Sequence, residues 1–291
     1  MIWPDNFGAL EEPFSNYEKA KVVILSVPYD GTRTWFAGKD WQKVDSTKGP
    51  KAIIQASRNM ELYDIETDKT VAEIGIHTLP ELKCLKDAEK NTALIEKEAA
   101  KHLAKNKFIV MLGGEHSVTA GTVIAYHKKH PKMSVLQIDA HSDLRDDFDG
   151  TKFSHAAVMS RVTELCPAVQ VGIRSMCYEE AEKIKNGKYN IFYAKDIHDN
   201  DEWMDNAISK LTGEVYITID LDVFDPSIMP STGTPEPGGL GWYQVLKFLK
   251  KVSQKKKIIG FDVVELAPNP DNLSPDFLAA KLIYLLLGYI F

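Results

Sequence analysis

A chain of 291 residues in which 44% of side chains are hydrophobic and 26% charged can bury a large core, which excludes a disordered or fibrous protein. Its net charge of −6, from 35 Lys and Arg against 41 Asp and Glu, argues against a nucleic-acid partner, since binding to phosphate backbones needs a clustered basic face. The most apolar tract, 277–291, contains Lys281 and Gly288 and falls short of the roughly 20 residues needed to cross a bilayer, so a buried helix and no membrane partner are expected. The opening Met1-Ile2-Trp3-Pro4-Asp5 lacks the basic stretch and apolar core of a secretory signal, and Cys84, Cys166 and Cys177 are scattered, which together predict a reducing, cytoplasmic location.

In chain order, runs rich in Val, Ile, Phe and Tyr predict strands at 21–27, 108–112, 134–138, 168–172, 190–193, 215–219 and 257–264. Between them, apolar residues at helical spacing predict helices at 85–105, 119–130, 179–185, 201–211, 242–253 and 275–287, and Pro50 restarts a helix after Gly49. Strand followed by helix, repeated along the chain, predicts a three-layer α/β/α sandwich around a mostly parallel central sheet. Its ligand site belongs beyond the carboxyl ends of the strands. No solenoid repeat, low-complexity tract or Gly/Ser linker interrupts the pattern, so residues 1–291 are expected to form a single domain. The least regular stretch, 31–49, holds Trp35, Phe36, Lys39, Asp40 and Trp41, and a loop of that length in a compact domain is more often functional than idle.

Three predicted strand ends carry ionisable groups. Asp139, His141 and Asp143 alternate after the strand at 134–138, and extended backbone projects alternate residues from one face. Asp220 and Asp222 repeat the spacing after the strand at 215–219, and the turn Gly113-Gly114-Glu115-His116-Ser117 lifts His116 to the start of a helix. One such run alone is most simply a solvated turn. Two carboxylate runs with a raised histidine are different, because four converging aspartates repel strongly unless they are protonated or bind metal. Carboxylates and imidazoles without thiolate suit hard or borderline divalent ions such as Mn²⁺, and six ligands fit two ions that activate a water for hydrolysis.

These runs resemble the arginase/agmatinase (ureohydrolase) family, through Gly113-Gly114-Glu115-His116-Ser117, Asp139-Ala140-His141-Ser142-Asp143, Asp220-Leu221-Asp222-Val223-Phe224-Asp225-Pro226 with Thr232-Gly233-Thr234-Pro235, and Gly260-Phe261-Asp262-Val263-Val264-Glu265. The resemblance covers nearly the whole chain. It implies an arginase-like fold and two Mn²⁺, one held by His116, Asp139, Asp143 and Asp220 and the other by Asp139, His141, Asp220 and Asp222, with Asp139 and Asp220 bridging. It further implies that Glu265 pairs with the substrate guanidinium, that Thr234 supports it, and that His155 in Phe153-Ser154-His155-Ala156 delivers a proton to the departing amine. A homo-oligomer, trimer or hexamer, is implied as well.

Charge supports a cationic small-molecule substrate independently: four aspartates cancel two divalent ions, and a hydroxide between them leaves about one negative charge. The loop Leu144-Arg145-Asp146-Asp147-Phe148-Asp149-Gly150-Thr151-Lys152 lacks the Asn and Ser pattern with which arginases hold an amino-acid carboxylate. Ser154-His155-Ala156 and Arg161-Val162 are instead agmatinase-like. Asp146, Asp147 and Asp149 would favour a tail ending in an ammonium, so agmatine, giving putrescine and urea, is the expected substrate. The enlarged segment between Pro28-Tyr29-Asp30-Gly31 and Gly49-Pro50 leaves a second reading, in which Arg33, Lys39 or Arg145 binds a carboxylate and the substrate is 4-guanidinobutyrate or another guanidino acid. A deacetylase-like zinc amide hydrolase and a non-catalytic metal-binding homologue are the remaining alternatives. His77, His102, His127, His130, His198 and the cysteines read as structural or solvent-facing.

Overall fold

A computed structural model describes residues 4–33, 45–198 and 200–291. Among these, strands β1 (Val22–Val27), β4 (Ile76–Thr78), β5 (Phe108–Gly113), β6 (Ser134–Ile138), β7 (Ala168–Ile173), β8 (Asn190–Tyr193), β9 (Glu214–Asp220) and β10 (Lys257–Val264) form one sheet in the order β4-β1-β5-β10-β9-β6-β7-β8. Every neighbouring pair is parallel. A short antiparallel ribbon of β2 (Tyr63–Asp64) and β3 (Lys69–Thr70) stands apart. All seven predicted strands are present. The sequence reading missed β2, β3 and β4, which at two to three residues are too short to display a period.

Parallel strands joined by helices are covered on both faces and so read as continuous apolar runs. β1 and β6 are buried at every position. Alternate side chains serve the two layers. Val22, Ile24, Val110, Leu112, Ile217 and Ile219 pack with helices α1 (Gly49–Ser57), α7 (Glu202–Lys210), α8 (Trp242–Lys255) and α9 (Ser274–Ile290). Val23, Leu25, Ile109, Met111 and Tyr216 pack on the other face with α2 (Ala88–Leu103), α3 (Thr119–Lys129) and α4 (Val158–Thr163). This is the predicted α/β/α sandwich. Helices α5 (Tyr178–Asn186) and α6 (Ala194–Ile197) flank β8 in sequence. The buried C-terminal helix expected from the apolar tract is α9, and no helix among the described residues is long and apolar enough to cross a membrane.

For the site, the important result is which strands are neighbours. β5, β10, β9 and β6 lie side by side in the middle of the sheet, so the segments that follow them meet at one edge. Each of the four carries one of the sequence signatures.

Candidate active site

Beyond β6 the chain stays extended. Asp139 N–H donates to Val171 O (3.0 Å), Arg174 N–H to Ala140 O (2.8 Å), and His141 bridges to Ser175. This fit requires Gly172, whose φ is +95° and where a Cβ would sit 3.0 Å from Asp139 O. Asp143 then adopts a left-handed backbone, φ 51°, which turns its carboxylate back toward the others. At the end of β9 a single 3-10 turn, Leu221–Val223, is capped by Asp220, whose Oδ1 accepts the Asp222 N–H at 2.9 Å. Gly114 passes so close to Tyr29 that a Cβ would lie 2.2 Å from its carbonyl oxygen, and this approach swings His116 over the sheet edge.

The six predicted ligands converge. Donor atoms of His116, Asp139 and Asp220 lie within 4.8 Å of one another, as do those of Asp139, His141 and Asp222, and the two groups share Asp139. Asp143 falls in neither group but places Oδ2 3.1 Å from His116 Nδ1. Asp220 falls in the first group and not in the second. Five of the six are buried and His141 is half-buried.

The donor set fits divalent ions. His116 Nε2 lies 2.8 Å from Thr218 Oγ1, and that hydroxyl donates to Asp262 Oδ1 at 2.6 Å, so the imidazole donates its Nε2 proton to threonine and turns Nδ1 toward the carboxylates. Nδ1 is buried without a hydrogen-bond partner, facing oxygens of Asp139 and Asp143 at 3.1 Å and Asp220 at 3.4 Å. A ring nitrogen facing three carboxylates needs a positive charge between them, supplied by a divalent ion or, without one, by the proton that, against the pull of burial, these carboxylates hold on His116 well above its ordinary pKa. The titration behaviour agrees: burial, with repulsion from Asp222 and Asp143, pushes the Asp139 carboxyl up to about 7. Burial and the same kind of repulsion raise Asp220 well above the ordinary carboxylate range. Burial also disfavours a charged His141, but Asp222 and Asp139 override it and hold the ring at about 11. Metal removal should therefore be costly. At a metal concentration about 100 times its dissociation constant, binding to the native state contributes about 2.7 kcal/mol, and a chelator should lower the melting temperature by about 5 °C or more. An unchanged melting curve would refute a metal-bound cluster.

A cavity of about 330 Å³ opens over this cluster, lined also by His155, Glu265 and Thr234. Glu265 follows β10 with a left-handed φ of 67°. Its N–H donates to Gly114 O (2.7 Å), and its Oε1 accepts the His116 N–H (2.7 Å). Burial, then Glu115 and Asp30, push the Glu265 carboxyl well above its ordinary value. His155 opens the 3-10 turn His155–Ala157 with Phe148 edge-on at 5.8 Å, and burial lowers its pKa, favouring the neutral ring. Thr234 is exposed at the rim.

The acidic loop does not take the expected place. Asp146, Asp147 and Asp149 are exposed and do not line the cavity, and Asp146 pairs with Lys183 at 2.6 Å. From that loop the cavity receives Arg145 and Phe148, with the guanidinium 4.6 Å from the ring centroid. Arg33 also lines it, paired with Asp30 at 3.0 Å. Lys39, with Trp35, Phe36, Asp40 and Trp41, lies outside the described residues. His77, His102 and His130 bond to Ser15 O, to Tyr17 and Glu98, and to Glu214, away from the site.

Several supporting residues escaped the sequence reading. Arg174 donates to the carbonyls of Asp222 (2.6 Å) and Glu236 (2.8 Å), tying the second carboxylate turn to the loop that carries Thr234. Glu180 accepts from Ser142 Oγ (2.6 Å), Leu144 N (2.8 Å) and Cys177 N (2.8 Å), fixing the start of α5 against the first run. Gln137 donates to Asp139 Oδ2 at 2.6 Å. The available signal was a polar residue inside an otherwise apolar strand, as with Gln137, Thr218 and Asp262.

A parallel sheet whose central strand ends carry paired carboxylates and histidines that could hold metal, under a small cavity, defines a hydrolase scaffold. The family model described as the Arginase family matches residues 20–288, and the chain belongs to that family. It is a ureohydrolase, an enzyme acting on guanidino compounds. A Synechocystis protein named N(1)-aminopropylagmatine ureohydrolase is 39% identical over 96% of this chain and 92% of its own. A Thermus thermophilus protein of the same name is also 39% identical, over 97% of this chain and 93% of its own. Among solved structures, the agmatine ureohydrolase of Thermoplasma volcanium superposes with a TM-score of 0.87 at 31% identity, covering 100% of this chain and 95% of that one.

Proposed function

We propose that the chain is a two-manganese ureohydrolase of guanidino polyamines, forming one catalytic domain over residues 1–291, with N1-aminopropylagmatine as its best substrate. The observation that carries this reading is the surplus of acids over cations lining the cavity once the metal cluster is set aside: Asp30 and Glu180 offset Arg33 and Arg145, leaving Glu115 and Glu265. Both cations are already engaged, Arg33 with Asp30, and Arg145 with the Phe148 face and, at 3.9 Å, Glu180. An acidic cavity with its cations occupied attracts a tail bearing amines and disfavours one bearing a carboxylate. Two relatives at 39% identity carry the N1-aminopropylagmatine name. The structural relative described as an agmatine ureohydrolase supports agmatine as the second reading.

In this reading His116, Asp139, Asp143 and Asp220 hold one ion, and Asp139, His141, Asp220 and Asp222 the other. When bound, the ions supply Lewis acidity and make water nucleophilic near neutral pH. Glu265, with Oε1 held by the His116 amide, pairs with the guanidinium and fixes its plane, and Thr234 supports it from the rim. His155 protonates the amine nitrogen as its bond to the guanidinium carbon breaks, releasing urea and a free amine: spermidine from N1-aminopropylagmatine, or putrescine from agmatine.

The test is urea release across N1-aminopropylagmatine, agmatine, arginine, 4-guanidinobutyrate and 3-guanidinopropionate. Relative to agmatine, the longer substrate should gain about tenfold in kcat/KM, the worth of roughly one additional charge-assisted contact. The three carboxylate-bearing compounds should trail. A preference for arginine or 4-guanidinobutyrate would overturn the polyamine reading.

A further inference from the structure

Glu115 belongs to no predicted ligand set, yet it is buried beside the cavity and accepts three hydrogen bonds. Thr32 N–H donates to its Oε2 (2.9 Å), Thr32 Oγ1 to its Oε1 (2.7 Å) and Ser117 Oγ to its Oε1 (2.6 Å). A threonine hydroxyl has one proton to give, and here Glu115 takes it. Thr32 Oγ1 is therefore an acceptor for its other neighbours. These are the backbone N–H of His155 at 3.1 Å and the His155 ring nitrogen Nδ1 at 3.2 Å. An acceptor at Nδ1 requires the proton on Nδ1, which leaves the lone pair on Nε2. The competing contact, Ser154 Oγ to Nδ1, is longer at 3.5 Å.

We propose that Glu115, acting through Thr32, sets the tautomer and ring orientation of His155, and that both are positioning residues for the proton transfer. The inference rests on the reading of His155 as the proton donor. The same device occurs once more in this site, in mirror sense: Asp262 and Thr218 take the proton of His116 at Nε2 and turn Nδ1 toward the carboxylates. There the chain would serve a metal-facing nitrogen, and here, with His155 read as the proton donor, the nitrogen that would face substrate. Thr32 reaches Glu115 across 83 residues and His155 across 123, so the arrangement joins three distant segments on one hydroxyl. Fixing a catalytic imidazole this way matters because a ring in the wrong tautomer or a displaced ring loses on the order of 10²-fold or more in rate.

Thr32→Val keeps the shape of the side chain and removes the hydroxyl, while Thr32→Ser keeps the hydroxyl. With the guanidino compound turned over fastest as substrate, Thr32→Val should lower kcat by about 10- to 100-fold, with KM within about twofold and metal content unchanged. Thr32→Ser should stay within about threefold of the parent, and Glu115→Gln, which presents an amide in place of one carboxylate oxygen, should fall in the same direction as Thr32→Val. In a His155→Asn background, Thr32→Val should cost less than about twofold more, since it acts through a ring no longer there. Parental kcat in Thr32→Val, a loss of metal with it, no recovery in Thr32→Ser, or losses that multiply with His155→Asn would each overturn the proposal. Full turnover by His155→Asn alone would instead remove the reading on which it rests.

Discussion

Asp220→Asn protein will hydrolyse no guanidino compound at a measurable rate and will hold less than its full complement of metal. The substitution is nearly isosteric, and Asn can still offer Oδ1 to the Asp222 N–H, so the 3-10 turn that ends β9 should survive. The negative charge does not survive. Four aspartates balance two divalent ions, and replacing one by a neutral amide removes both a ligand charge and part of the attraction that holds the pair, so the cluster should release metal more readily. Outer-sphere partners of metal ligands cost 10–100-fold, and a ligand proposed to bridge both ions should cost more, above about 10³-fold in kcat/KM. Asp139→Asn should be at least as severe, because Asp139 also accepts from His141 N and Gln137 Nε2, each at 2.6 Å, and one amide oxygen cannot serve both. Urea release together with metal per chain by emission spectroscopy checks both variants. Full activity of Asp220→Asn at saturating Mn²⁺ would sink the two-ion reading.

His155→Asn should lower kcat by about 10²- to 10⁴-fold while metal content stays intact. The size is that of general acid catalysis by a group whose ordinary pKa lies near neutrality. Burial pulls His155 down from that value, toward a ring that is neutral at rest and has a free nitrogen to take up and pass on a proton. Its ring belongs to neither group of converging donor atoms, which is why the two readouts should separate. Metal lost together with activity would make His155 a ligand rather than a proton donor.

The strands that carry the site were legible because parallel strands buried on both faces announce themselves as apolar runs, and because ionisable residues at alternate positions just beyond such a run cannot be core. The alternation of Asp139, His141 and Asp143 is local information. What supports it is not local. Asp143 and Glu265 reach their places through left-handed backbone at residues with no glycine-like freedom, a conformation that only the surrounding packing enforces. Asp146 reads as a cation trap until Lys183, 37 residues away on α5, is seen to hold it. Thr32 carries no signal in its own neighbourhood, because its partners come from the turns after β5 and β6. The roles assigned to Glu265, Thr234 and His155 came from resemblance to a family and not from spacing, and the structure adds that all three line one cavity.

The position of β10 bears on how the enzyme comes into being. It is the last strand in sequence, yet it lies between β5 and β9 near the middle of the sheet. Without residues 257–264 the sheet is two separate pieces, β4-β1-β5 and β9-β6-β7-β8, each presenting a bare edge at the seam. His116 rides on the first piece, and Asp139, His141, Asp220 and Asp222 on the second. Sheet completion therefore depends on non-local pairing of the last strand, and such pairing is intrinsically slow and leaves unpaired edges open to wrong partners. Only the group that includes His116 straddles the seam, so in the two-ion reading its site is completed by that insertion, whereas Asp139, His141, Asp220 and Asp222 already share one piece. Once in place, the ion bound by His116 would act as a rivet across the joint that the final strand closed.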